Sequence, residues 1–259
     1  MYSIRNPNGQ LRFGVLKTSF NGQVLDDVLS NNQSSFKTIS VRGREILNKE
    51  HQTVSVPGRH GAYFYNGIYG SREIKVSFLI QAKDRKSLLD RYGQISQCLR
   101  TKTPQLLSFS DDPHRFYFAQ FKDMSDLDEK RDDAMFSLTF ICYDPFKYSD
   151  VKPVSGNRIT YAGDEDTKPI LTITLTASGN ELRVLHLEKQ QYIRLKGTYT
   201  AGNKIVIDMK KRTITQNGRS ILTDLDVVNS RFFTFSKGVN TLSINLGHTV
   251  TSEFREVYL

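Results

Sequence analysis

Tryptophan is absent from the 259-residue chain, and cysteine occurs only at Cys98 and Cys142. Neither cysteine lies in a CxxC pair or a Cys/His cluster, so both read as small buried hydrophobes, with a disulfide or a metal role as the alternative. The five histidines have no ligand spacing, and no structural zinc is predicted. Apolar runs are only a handful of residues long, well short of the roughly 20 that a membrane-spanning helix needs. The start, "MYSIRNPNGQLRFG", has no apolar core of a secretory signal; the expectation is a chain made in a cytoplasm, without membrane insertion. Catalytic signatures are also missing: there is no G-x-S-x-G, no G-x-x-x-x-G-K-[ST] and no H-E-x-x-H. Asp26-Asp27 and Asp111-Asp112 are adjacent pairs, and adjacent strand residues point to opposite faces, which makes them poor acid/base couples. No catalytic residue, cofactor or metal ligand is assigned. An enzyme such as a cell-wall hydrolase is the least supported class.

What the chain does have is core-forming bulk, 16 Phe and 12 Tyr, which rules out a disordered polymer. It carries 36 Lys+Arg against 27 Asp+Glu, a net charge of +9. The excess is spread over both halves without a basic block, "DMKKR" at 208–212 coming closest. A mixed solvated surface is favoured over a dedicated nucleic-acid groove.

Along the first half, strand signals dominate. Ile4, Leu11, Phe13 and Val15 around "NPNGQ" suggest an early hairpin. "TSFNGQVLDDVLSNNQSS" reads as loop around a short ordered piece, and "KTISVRGREI" puts Ile39 and Val41 in alternation before Gly43. "REIKVSFLI" is the clearest strand: Ile74, Val76, Phe78 and Ile80 face one way, with Arg72, Glu73, Lys75 and Ser77 mostly on the other side. One helix is predicted in "KDRKSLLDRYGQISQCLRT". It has Asp84 as N-cap and a stripe of Leu88, Tyr92, Ile95 and Leu99, widened by Leu89 and Cys98, and Pro104 ends the run. Gly93 in its middle implies close packing there, since Gly costs up to about 1 kcal/mol against Ala in a helix. "QLLSF", a turn at "SDDPH" and "RFYFAQF" follow. "KDMSDLDEKRDD" lacks the spacing of a calcium loop and reads as a solvated loop. "AMFSLTFICYDPFKY" is a long strand with Phe136, Leu138, Phe140 and Cys142 on one face. Thr139, Ile141 and Tyr143 share the other, and burial on both sides is expected near its end.

Asp144-Pro145 stops that strand, and the polar segment after it marks a domain boundary near 146–153. The expected domains are 1–147 and 148–259, with the last strand, 252–259, in the second domain or returning to the first. The second part shows no helix. Its short strands alternate at Ile170, Thr172 and Leu175; at Leu182, Val184 and Leu185 or Leu187; and at Ile193 and Leu195. Further strands carry Ile205 and Ile207, Thr213 and Thr215, Phe232, and Leu242, Ile244 and Leu246, with a tight turn at 217–219. The fold class is mainly β with one principal helix: an N-terminal α+β domain followed by an antiparallel β-sandwich. Tyr192, Tyr199 and Phe232 to Phe235 could stack on a sugar ring, but their alternation suits a core as well, and core is the favoured use.

The stretch "TVSVPGRHGAYF" is the candidate functional loop. Its glycines miss the G-x-G-x-x-G spacing and lead into a strand, whereas a phosphate cradle needs a helix N-terminus. Arg59 and His60 have no partner acid in view. The expectation is a turn, with Gly58 and Gly61 at positive φ and Pro57 fixing its own. Arg59 at its tip would be free to reach another chain, which makes Pro57, Gly58, Arg59, His60 and Gly61 a candidate subunit contact.

Four motifs in order resemble the distal tail protein family of long, non-contractile-tailed bacteriophages, also called phage tail component proteins. A "PGRDG"-like turn reads here as Pro57-Gly58-Arg59-His60-Gly61, with His60 where Asp is often found. An "F-x-x-x-DPF-x-Y"-like end of the first domain reads as Phe140, Asp144-Pro145-Phe146 and Tyr148. "AGNKIVIDMKKRTITQNG" and "KGVNTLSIN" are similar to a hairpin and a strand of the family's C-terminal sandwich. The resemblance covers nearly the whole chain. It implies a virion protein at the distal end of the tail, forming a homo-oligomeric ring, usually a hexamer, built by the first domain. It implies a galectin-like or carbohydrate-module-like second domain that points outward and carries baseplate or receptor-binding proteins or, in some members, binds host saccharide. Implied partners are the tail tube protein, the tape measure protein and the tail-tip protein, with DNA only in transit through the lumen and no cofactor.

Overall fold

A computed structural model describes residues 16–259, and the early hairpin predicted around 4–15 lies outside them. The chain divides into two compact units, residues 1–147 with Leu259, and Tyr148–Tyr258.

In the first unit β1 (Thr18–Phe20), β2 (Gln23–Val24) and the single-turn helix α1 (Leu25–Val28) come first. The stretch expected as loop is therefore mostly ordered. Then follow β3 (Ser34–Arg42), β4 (Lys49–Val54), β5 (Tyr63–Tyr69), β6 (Arg72–Ala82), α2 (Arg85–Leu99), β7 (Gln105–Phe109), β8 (Asp112–Glu129) and β9 (Asp133–Cys142). Seven strands run in the order β2-β1-β7-β8-β9-β6-β3, while β4 and β5 pair only with each other. The β6–β9 ladder is unbroken from Arg72 opposite Cys142 to Gln81 opposite Asp133. It sets Ile74, Val76, Phe78 and Ile80 against Phe140, Leu138, Phe136 and Ala134, all buried. Full burial of each large side chain in this layer contributes about 1.5–3 kcal/mol.

The helix lays Leu88, Ile95 and Leu99 on that layer, and the Asp84 carboxylate accepts from the Ser87 amide at 2.8 Å, as the capping reading expected. Two details differ. Leu89 is half exposed, and Arg91 takes the inward place instead, donating to Ser34 Oγ at 2.5 Å. Gly93 has no neighbour within 4 Å of where a Cβ would stand, so nothing packs close there. Gly93→Ala is accordingly expected to raise the stability of the protein by about 0.5–1 kcal/mol, seen as a higher urea midpoint at unchanged slope.

Other expectations are corrected. Arg72 is 3% exposed, on the inward face with Ile74. Its guanidinium reaches the carbonyls of Pro145 (2.9 Å), Gly43 (3.2 Å) and Glu45 (3.3 Å), which replace the water it lost. The acidic segment 122–133 is strand as far as Glu129, where β8 ends after pairing with β9 across two register shifts, and only 130–132 form the turn between them. At the end of β9 Thr139 is buried and Ile141 half-buried on the face opposite Phe140 and Cys142, so burial on both sides holds within the strand, while Tyr143 just past it is exposed; in β3 a register shift after Thr38 turns Ile39 to solvent.

The second unit holds β10 (Lys147–Ser149, shared at its start with the first), β11 (Lys152–Ser155), β12 (Arg158–Tyr161), β13 (Ile170–Leu175), β14 (Gly179–His186) and β15 (Gln191–Tyr199). β16 (Lys204–Asp208), β17 (Thr213–Gln216), β18 (Arg219–Ser220), β19 (Gly238–Ile244), β20 (His248–Phe254) and β21 (Val257–Tyr258) complete it. One sheet runs β11-β20-β13-β16-β17-β18 and the other β12-β19-β14-β15. Between them lie Leu171, Ile173, Leu182, Val184, Ile193, Leu195, Ile205 and Ile207, all fully buried. In β13 the buried set is Leu171, Ile173 and Leu175, so Ile170 and Thr172 are on the opposite face from Leu175. His186 fills the inward place expected of Leu185 or Leu187; its Nε2 lies 3.0 Å from Asn240 Oδ1, and its Nδ1 accepts from the Lys189 amide at 3.2 Å. At the end of the chain, β20 pairs with β11 and β13, β21 pairs with β10, and the Val257 amide donates to Tyr161 Oη at 2.9 Å.

Candidate functional site: an uncovered hairpin

The candidate loop caps the β4–β5 hairpin. Pro57 and Gly58 (φ +82°) occupy the middle of a turn closed by the Arg59 amide on the Val56 carbonyl at 3.2 Å, a type II arrangement that requires positive φ at its third residue. Gly61 also has φ +82°, so both glycines take the expected conformation. Arg59 does not extend away: its guanidinium lies over the Tyr63 ring, 3.9 Å from the centroid. Along the stem, Lys49 sits over Tyr69 at 5.3 Å, and the His51 and Phe64 rings are 5.4 Å apart.

Below the turn β5 carries aromatic and apolar side chains on both faces, and the described residues cover neither. Exposure is 51% at Tyr63, 62% at Phe64, 77% at Tyr65 and 43% at Ile68. Tyr65 falls at the register shift between the Gln52–Asn66 and Thr53–Phe64 pairs and has no cross-strand partner there. A two-stranded hairpin alone is marginal in water, and a contiguous exposed aromatic patch marks an interaction surface. The hairpin emerges near a polar anchor: Phe146 packs edge-on to Tyr69 at 5.9 Å, and Pro145 holds Arg72, so the Asp144-Pro145-Phe146 motif fixes where β5 ends and β6 begins.

A second uncovered apolar surface lies between α2 and β8, a groove of about 500 Å³ lined by Tyr92, Ile95, Leu99, Phe121, Met124 and Leu127 among others. At its rim the Tyr92 hydroxyl donates to Glu129 Oε2 at 2.9 Å, and burial with the adjacent carboxylate pushes the phenol up to about 12. The ion pair with Arg85 and this hydrogen bond hold Glu129 below the usual carboxylate range.

Elsewhere the shifted groups are structural. Burial raises the Cys142 thiol to about 12 and the Tyr117 phenol to about 12, which keeps both neutral and unreactive at physiological pH. Among the described residues no cluster of three His, Cys, Asp or Glu side chains could hold a metal, and no helix is long and apolar enough to cross a membrane. Of the aromatics read as core, Tyr199, Phe233 and Phe235 are buried in the sandwich, whereas Phe232 is half-buried and Tyr192 is half-buried beneath the Arg183 guanidinium, 4.3 Å from its ring centroid.

Residues 26–142 match the phage tail protein RIFT-related domain, and residues 162–258 match the C-terminal domain of the siphovirus-type tail component. The chain belongs to the siphovirus-type distal tail protein family. The distal tail protein of Bacillus phage SPP1 is 25% identical over 236 residues, covering 88% of this chain and 90% of that protein. The crystal structure of the SPP1 protein superposes with a TM-score of 0.83 at 20% identity, over 95% of this chain and all of that one. A chain of the phage p2 baseplate in its activated, strontium-bound conformation gives 0.50 at 11% identity, over 94% and 99%. With these relatives, the chain is a structural component of a virion tail. The sequence singled out the turn of its hairpin but missed the aromatic stem and the groove. The available signal was "YFYNGIY", in which neither alternate set is polar.

Proposed function

We propose that this protein assembles as a ring, a hexamer, that forms the hub between the tail tube and the tail tip. The crystallised SPP1 relative is described as a paradigm of the hub adsorption apparatus in phages infecting Gram-positive hosts. The observation that supports the reading for this chain is the β4–β5 hairpin, whose aromatic stem the described residues leave in water. Burying that stem on a neighbour turns a solubility liability into an assembly contact. The first unit builds the ring and meets the tail tube, tape measure and tail-tip proteins, and DNA passes only through the lumen. The second unit is a docking platform for other baseplate or receptor-binding proteins; the interior position of Tyr199, Phe233 and Phe235 favours this over saccharide binding.

The purified protein is expected to give rings in negative-stain images and a multi-subunit mass by light scattering; a strict monomer at high concentration would overturn the reading. Arg59→Ala, which removes the cation stacked on Tyr63, is expected to weaken assembly several-fold while leaving the thermal unfolding of the subunit in place. An unaltered ring affinity would remove the turn from the contact.

A further inference from the structure

Asn66 and Gly67 lie in the middle of β5, whose partner strand among the described residues is β4 alone. The Gly67 amide donates to Oδ1 of Asn66, its own neighbour, at 2.8 Å. A bond this local folds the carboxamide back toward the following peptide, so the side-chain carbonyl carbon, Cγ, stands beside the Gly67 nitrogen. We propose that Asn66 is a site of spontaneous deamidation, in which the Gly67 nitrogen closes on Asn66 Cγ, and that the product disables the aromatic stem of subunits that have not yet buried it. The chemistry follows from this geometry; its effect on assembly rests on the ring reading above. Hydroxide removes the Gly67 amide proton, the N–Cγ bond forms, and the bond from Cγ to the side-chain nitrogen breaks. That nitrogen takes a proton from water and leaves as ammonia. Water then opens the succinimide. Attack at Cγ gives aspartate, and attack at the backbone carbonyl gives isoaspartate, whose main chain runs through Cβ and Cγ. Overall, water is consumed and ammonia released.

The surroundings favour closure here. Glycine at 67 puts no Cβ in the path of the forming ring. Asn66 is exposed, and no second strand among the described residues covers the outer edge of β5, so hydroxide reaches the amide. A register shift adjoins Asn66 and lets the backbone turn there, and orientation of the reacting atoms supplies much of the rate of an intramolecular reaction. The other described Asn-Gly pairs differ. Asn21-Gly22 and Asn217-Gly218 are two-residue hairpin loops with both residues at left-handed φ, +52° and +75° in the first and +49° and +83° in the second. The Asn217 carboxamide oxygen is engaged by the Lys204 amide at 2.9 Å instead of by its own neighbour. Asn8-Gly9 lies outside the described residues. At Asn66 either product places a carboxylate next to Tyr65, the most exposed ring of the stem. The isoaspartate form also lengthens the main chain, so the pairs of Gly67 with His51 and Tyr69 with Lys49 lose their register.

Peptide mapping tests the site. Cleavage after Arg59 and Arg72 yields residues 60–72, in which Asn66 is the only asparagine. After incubation of the full chain in mildly alkaline buffer, this peptide is expected to gain the mass of an amide exchanged for an acid. Two forms are expected, with isoaspartate, labelled by an isoaspartyl methyltransferase, in excess over aspartate. Conversion is expected to run several-fold faster than at Asn21 or Asn217, to accelerate as pH rises, and to be lost in Asn66→Gln, whose longer side chain closes a ring far less readily. A peptide 60–72 that stays unchanged, or that changes no faster than the one holding Asn217, overturns the proposal. Asn66→Asp, at a solvent-exposed position, is expected to keep the circular dichroism of the wild type and to weaken ring assembly several-fold; unaltered assembly overturns the effect on the stem. When ring and monomer fractions are aged separately, conversion is expected to be slower in the ring. Equal rates would mean that the ring leaves the stem in water, which removes the hairpin from the contact and leaves the Asn66 chemistry standing.

Discussion

Replacing Asp26 by asparagine is expected to destabilise the first unit by about 3 kcal/mol, although the two side chains have the same shape. Asp26 is 5% exposed and works only as an acceptor. Its Oδ2 takes the Thr18 amide at 2.9 Å and the Thr38 hydroxyl at 2.8 Å, while Oδ1 takes the Thr38 amide at 2.6 Å. Thr18 lies on β1, beyond the two residues that β2 can pair, and Thr38 lies on β3, at the other end of the seven-strand path. The carboxylate therefore joins the two ends of the sheet where no backbone ladder does, and Thr18 and Thr38 hydroxyls meet at 2.9 Å beside it. An amide has only one acceptor oxygen. Whichever way the substituted amide turns, its NH₂ faces a backbone N–H, and one buried donor is left without a partner, at about 1–3 kcal/mol for that group beyond the loss of charge-assisted strength. Asp26→Ala, which strips all three partners, should cost more, about 4 kcal/mol. Urea unfolding checks the magnitude, and hydrogen exchange checks the place: protection should fall in 18–20 and 34–42 and hold in 170–175. Equal loss in both units would mean that Asp26 does not act as this local clasp.

Why that residue is invisible in the sequence shows where pattern reading ends. Ile74, Val76, Phe78 and Ile80 are legible because a half-buried strand imposes a two-residue period, and the Asp84 cap is legible because its bond spans three residues. Asp26 sits in a polar stretch beside Asp27, and its partners are 8 and 12 residues away, so no local pattern marks it. Arg72 reads as outward-facing for the same reason: carbonyls from 27, 29 and 73 residues away make its burial tolerable. The acidic end of β8 reads as loop because its side chains resemble solvated loop, yet ladder bonds are made by the backbone, and positive φ at Asp126 (54°) lets the strand absorb its register shift. Of the candidate site, the turn is legible because Pro57 and Gly58 set backbone angles directly. The uncovered stem is not, because exposure depends on what the rest of the chain leaves unpacked.

Gly43→Ala is expected to be the most damaging of three superficially identical substitutions, at about 3–5 kcal/mol. The residue follows β3 with φ +89°, a conformation that costs a side-chain-bearing residue about 1–2 kcal/mol. A Cβ there would stand 2.0 Å from the Glu73 carbonyl oxygen and 3.2 Å from the Ile74 Cα. Those atoms are backbone of β6, the strand paired on both sides by β3 and β9, so the obstacle cannot rotate away as a side-chain tip would. Moving Gly43 instead displaces its carbonyl, one of the three that hold the Arg72 guanidinium, and leaves a buried cation less satisfied. Gly58→Ala has a similar φ of +82° but meets no atom within 4 Å, so it carries the conformational cost alone, about 1–2 kcal/mol. Gly93→Ala has neither penalty and should stabilise. Measured side by side by urea unfolding, the series separates helix entropy, backbone strain and steric exclusion. A Gly43→Ala variant no less stable than Gly58→Ala would mean that β3 and β6 separate at Gly43 at little cost, and that the close approach there is not what fixes the end of the sheet.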